Sequence, residues 1–204
     1  MLNSPYFDFV VDDIVLNGPL YCISLDSTFE SSRLTNKQIN ALVRYIDGYF
    51  ESNAFSNSNL KTLGTSNVYD KPISISSQDA LVTTSLKFAH ISIIYSENMV
   101  HPHNIEELIV HNGFCVYDFG LLQSKIIVLP DYNASQYYRF DTFSDEGDPV
   151  TIYTFEEMSD EHKSMLPSRV TTLVISDISE VPFQYAPATW DDVKDYDEDG
   201  NPIE

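Results

Sequence analysis

The sequence predicts an α+β fold. It reads as a mixed, mainly antiparallel sheet with one main amphipathic helix over about residues 36–51, one or two short helices, and an extended C-terminal arm. Three observations carry this expectation. Short runs rich in β-branched and aromatic residues recur along the chain. One segment shows an apolar stripe at helical spacing behind a capping signal. Residues 180–204 combine prolines, aromatics and acids in a pattern that excludes a regular helix.

Taken in order, "YFDFVV" and "DIVL" read as strands, and Asn17-Gly18 supplies a tight turn into "LYCISL". A polar link over 26–34 follows. Thr35 and Gln38 have capping-box spacing, with Leu34 and Ile39 as the hydrophobic staple. Ile39, Leu42, Val43, Ile46 and Phe50 continue the apolar stripe. The Ser/Asn-rich stretch from Ser52 to Asn67 reads as a surface loop. "DALVTTSLKFAHISIIYS" reads as one long strand or two. Asn104 and Glu107 have the spacing to cap a short helix "IEELIVH", stopped by Gly113. "FCVYDF" and "KIIVL" read as buried strands around a turn near Gly120. "QYYRFDTF" and "VTIYTF" read as a hairpin around "SDEGDP". Ser159 opens a short helix through Met165, halted before Pro167, and "RVTTLVIS" is the final strand of the body. No internal repeat is visible. The domain reading is a globular body over 1–179 and an arm over 180–204.

Charge narrows the classes of partner. The net charge is −20 over 204 residues. Residues 141–204 hold 17 acids and 3 bases, whereas residues 1–140 hold 14 acids and 8 bases. Such a field disfavours direct nucleic-acid or anionic-membrane binding and favours protein partners with basic surfaces, in an oligomer or hetero-assembly. Cys22 and Cys115 sit in apolar runs and read as buried free thiols. No secretory signal and no membrane span is legible, so synthesis in a cytoplasm is expected.

The sequence offers few groups for chemistry. Seven isolated glycines allow neither a Walker A loop nor a dinucleotide fingerprint, and no Gly-x-Ser-x-Gly elbow is present. No cofactor and no catalytic residue is expected. His101, His103 and His111, with Glu107, form a weak metal-ligand pattern. Asp195, Asp197, Asp199 and Gly200 resemble the first half of a calcium loop, but the acid required at its twelfth position is missing. The strongest feature is Phe183, Tyr185 and Trp190, followed by Asp191 and Asp192. Rigid aromatics in an extended segment suit a partner's groove, and the acids suit a basic rim. The alternative for these aromatics is packing on their own domain.

The function expected from these readings is a non-enzymatic structural or interaction subunit of a larger assembly, most specifically a bacteriophage virion component of tail, neck or baseplate. The alternative is an acidic inhibitor, acting as a nucleic-acid mimic or an immunity or anti-defence protein on a basic enzyme. A third class, a metal enzyme built on the histidines, predicts bound metal.

Overall fold

The computed structural model describes residues 20–21, 35–47, 60–75, 86–93, 105–111, 124–136, 138–197, 199 and 201–203. Its centre is a parallel β-solenoid, which overturns the expected mixed, mainly antiparallel sheet. Strands β3 (Thr62–Leu63) and β4 (Ile73–Ile75) both pair with β5 (Phe88–Ile93). The sheet then runs through β6 (Glu107–His111), β7 (Ile126–Leu129), β8 (Val150–Thr154) and β9 (Val170–Val174), every pair parallel and every step sequential. Outside this sheet, β1 (Leu20–Tyr21) pairs in parallel with β2 (Ile46–Asp47), and β10 (Asp195–Tyr196) pairs antiparallel with β11 (Pro202–Ile203).

Connection length explains the parallel arrangement. The chain between successive strands from β5 to β9 is 13, 14, 20 and 15 residues long. Hairpins take two to about five residues, whereas a return to a parallel neighbour takes a dozen or more. Side-chain columns then fix the register. Leu63, Ala89, Leu108, Ile127 and Ile152 lie side by side on five strands and are all buried. A one-residue slip would turn each column to the wrong face. Lys87, Glu106 and Lys125 precede successive strands, and Glu106 accepts both ammonium groups at 2.7 and 2.8 Å.

The inner face is closed by α1 (Asn36–Tyr45), which adds Ile39 and Val43, and by Tyr132, Tyr138, Phe140, Phe143 and Met158. Tyr132 and Tyr138 stack at 5.3 Å, and the Tyr132 hydroxyl meets His162 Nδ1 at 2.8 Å. His162 lies on α2 (Asp160–Ser164), whose first turn is capped by Ser159 as the sequence indicates.

Three element readings change. "ELIVH" is strand β6 and not a helix: Leu108 and Val110 face the core while Glu107, Ile109 and His111 face the other way. "QYYRFDTF" is not a hairpin strand; Phe140–Thr142 form a 3-10 turn, and Val150–Thr154 pairs in parallel with its neighbours. The described part of the expected surface loop is largely interior, because Leu60 and Thr62 to Thr65 are buried. A helix starts at Asn36, with the Thr35–Gln38 capping box in place at 2.9 and 3.2 Å, but it ends at Tyr45 where β2 begins, so α1 and α2 are two short helices and not one main amphipathic helix over 36–51. The readings on residues 1–19, on Cys22 and Cys115, and on the Gly120 turn lie outside the described residues. Among the described residues no helix is long and apolar enough to cross a membrane.

Candidate functional site

Two features on the outer face of the sheet carry polar chemistry: a strap formed by the C-terminal segment, and a pair of histidines. The strap starts just beyond β9. Glu180 Oε1 accepts from the amides of Ser176 and Asp177 and from the Ser176 hydroxyl, at 2.7–2.9 Å, and a 3-10 turn over Ile178–Glu180 redirects the chain. The segment then lies on an apolar cluster of Phe88, Ile109, Val128 and Tyr153. Phe183 meets Phe88 edge-on at 5.8 Å, and Tyr185 and Ala186 pack on the same cluster.

Glu107 holds the middle of the strap. Its carboxylate is buried and accepts three consecutive backbone N–H groups, from Gln184 at 2.5 Å, Tyr185 at 2.9 Å and Ala186 at 3.1 Å. Burial raises its pKa, partly offset by those three bonds. Further on, Pro187 O accepts from Ser66 N at 2.7 Å, and Trp190 packs on the inner core with the Arg44 guanidinium 5.5 Å from its ring centre.

The strap ends on α1. Asn36 Nδ2 donates to Lys194 O at 2.7 Å, and Asp195 Oδ1 accepts from Lys37 N at 2.8 Å, where a helix start favours negative charge. Asn36 and Asn40, one helical turn apart, also satisfy the outer edge of β3. Asn36 Oδ1 accepts from Lys61 N and Thr62 N, and Asn40 bonds Thr62 O and Gly64 N. Gly64 has a φ of +85°, and a Cβ there would stand 3.0 Å from His90 Cβ, so only glycine fits this turn without displacement.

The second feature is the pair His90 and His111, on adjacent strands. Their rings stack with centres 4.9 Å apart and planes 25° from parallel. His90 Nδ1 lies 2.9 Å from Thr65 O, which can only accept, so the proton sits on Nδ1. His111 Nδ1 lies 2.8 Å from the Asp131 carboxylate, which fixes the same tautomer. Both Nε2 atoms are buried, and neither has a hydrogen-bond partner among the described residues. Burial first, and His111 second, push His90 down to about 4. Asp70 is anchored nearby by Thr65 Oγ1 at 2.6 Å and Asn67 Nδ2 at 3.1 Å.

The structure distributes the sequence-derived candidates unevenly. Phe183, Tyr185 and Trp190 are half-buried on their own fold, while Asp191 is exposed and Asp192 accepts from Thr189 N and Oγ1 at 2.9 and 2.7 Å. Asp195 serves α1, Asp197 bonds Asn201 within the β10–β11 turn, and Asp199 is exposed. Among the described residues no three His, Cys, Asp or Glu groups share one ion position. His101 and His103 lie outside the described residues. His111 is joined by His90, which the sequence reading overlooked because "FAHISI" reads as plain strand. The signal available was period two, which puts Phe88, His90 and Ser92 on one face. No protein-family model, no curated protein and no solved structure matches this chain.

Proposed function

We propose that this chain is a non-enzymatic interaction subunit that docks a partner's strand along the free edge of β9. The observation that carries the reading is the state of that edge. Among the described residues nothing pairs with its outer side, and Leu173 and Val174 are 47% and 50% exposed. "VTTLV" contains no charge or proline, the devices by which edge strands are normally protected. Hydrogen-bond parity adds direction. Arg169 O and Ile175 N bond to β8, so alternation along a parallel ladder turns the peptide groups of Thr172 and Val174 outward. An added strand would gain these bonds and cover the two apolar side chains.

The partner's chemistry follows from charge. The excess of acids over 141–204 surrounds β9 in sequence, so the docking strand carries basic flanks. Self-pairing would set two chains of net charge −20 against each other. The test is affinity capture from the native source with three baits: the intact chain, a Leu173→Lys/Val174→Lys chain, and a chain truncated after Ser179. A partner kept by the intact chain and lost with the lysines, at unchanged melting temperature, supports edge docking. A partner retained by the lysine chain but lost on truncation places recognition on the strap and refutes edge docking. Capture of one basic enzyme in place of assembly subunits favours the inhibitor class.

A further inference from the structure

We propose that His90 and His111 form a two-imidazole site for a divalent transition-metal ion of the zinc–copper class, bound through both Nε2 atoms and completed by water. The first reason is the orientation of the rings. Each Nδ1 is already committed to an acceptor, Thr65 O or Asp131, which leaves each Nε2 as the ring nitrogen available to a ligand. A metal-binding histidine has this arrangement, with the outer nitrogen held by a carbonyl or carboxylate and the inner one free to ligate.

The second reason is the unmet demand of those lone pairs. His90 is 1% exposed, and both Nε2 atoms are buried without a hydrogen-bond partner among the described residues. A buried acceptor left unpaired loses its water without gaining a partner, so two side by side favour a donor or a cation. A proton serves poorly here: a protonated Nε2 would place one imidazolium against a second imidazole in a buried site.

The third reason is adjacency. His90 pairs in register with Ile109, so His111 is its diagonal neighbour on the same face. Two metal–nitrogen bonds of about 2.0–2.1 Å bring the two nitrogens within about 4 Å of each other, so binding turns the rings out of their stack, whose centres lie 4.9 Å apart, until both in-plane lone pairs meet at the ion. Imidazole nitrogen selects zinc, copper and nickel over calcium or magnesium. Asp70 and Asp131 lie near enough to favour positive charge at His90. His111 keeps 14% of its side chain in contact with solvent, so it is the more accessible of the two rings, although its Nε2 is buried. Two protein ligands make this an exchangeable site and not a closed structural one.

The experiment uses the full chain, stripped with chelator and titrated with Zn²⁺ alone and then Cu²⁺ alone. Calorimetry should show one saturable equivalent. Copper should give the EPR signature of two coordinated nitrogens. His111→Ala, at the accessible end, should weaken binding by at least about tenfold, and Asp131→Asn by about tenfold, the scale of an outer-sphere partner. A triple Asp195→Asn/Asp197→Asn/Asp199→Asn chain should bind as the parent does. Should His90→Ala fail to fold, His111→Ala and the copper spectrum still decide. No saturable equivalent, binding unchanged by His111→Ala, or binding lost only in the triple variant would each overturn the assignment.

Discussion

At His90 the fold holds an imidazole neutral, and this choice has a measurable pH consequence. The folded value of about 4 lies below the free value of 6.5, so the unfolded chain takes up the proton first as pH falls. Stability from this group is therefore complete above pH 6.5 and is lost as pH falls toward 4. The gap corresponds to about 3 kcal/mol. The groups facing the ring are His111, Thr65 O, Asp70 and Asp131. His90→Asn retains a donor for Thr65 O and removes the titration. Urea unfolding between pH 7 and pH 4 should show a loss in the parent that is larger by that amount than in His90→Asn. Equal slopes would mean that His90 is solvated. Glu107 works in the opposite sense: its raised value means that its contribution is greatest below the free value of 4.5 and declines as pH rises through the folded one.

At the level of elements, the sequence makes some segments legible and hides others for physical reasons. The capping box at Thr35 and Gln38, the Ser159 cap and the apolar runs of β7 and β9 are local signals, and the corresponding elements form. Glu107 misleads because its spacing from Asn104 imitates a capping box, while its actual partners are some 77–79 residues away. "LKTLGT" misleads because its polar backbone is satisfied by Asn36 and Asn40, a long-range arrangement that composition does not reveal. The Glu107 carboxylate holds the middle of the strap. Glu107→Gln keeps one acceptor but turns an amide NH₂ toward backbone N–H groups, leaving at least one unpaired. We expect a loss of about 1–3 kcal/mol and faster amide exchange at residues 184–186. Unchanged exchange there would show that Phe183 and Tyr185 alone hold the segment.

Across the whole molecule, the repeat is one of register and not of residue identity, which hides it from the sequence. Positions 88, 107, 126, 151 and 171 align across five strands, at intervals of 19, 19, 25 and 20 residues. Yet they hold Phe, Glu, Ile, Thr and Thr, which share no signature. A solenoid gains stability by stacking each turn on the next, and a terminal turn needs a cap. The two ends here differ. The β3 edge is closed by the amides of Asn36 and Asn40, with the strap fastened beside it, whereas the β9 edge has no strand beside it among the described residues. The proposed docking at β9 rests on that asymmetry.

Residue-resolved amide hydrogen exchange on the free chain tests this directly. The amides of Thr171 and Leu173, turned toward β8, should exchange slowly, and those of Thr172 and Val174 should exchange fast, becoming protected when the captured partner is added. Slow exchange at Thr172 and Val174 in the free chain would show that the edge is already covered and that β9 offers no docking edge.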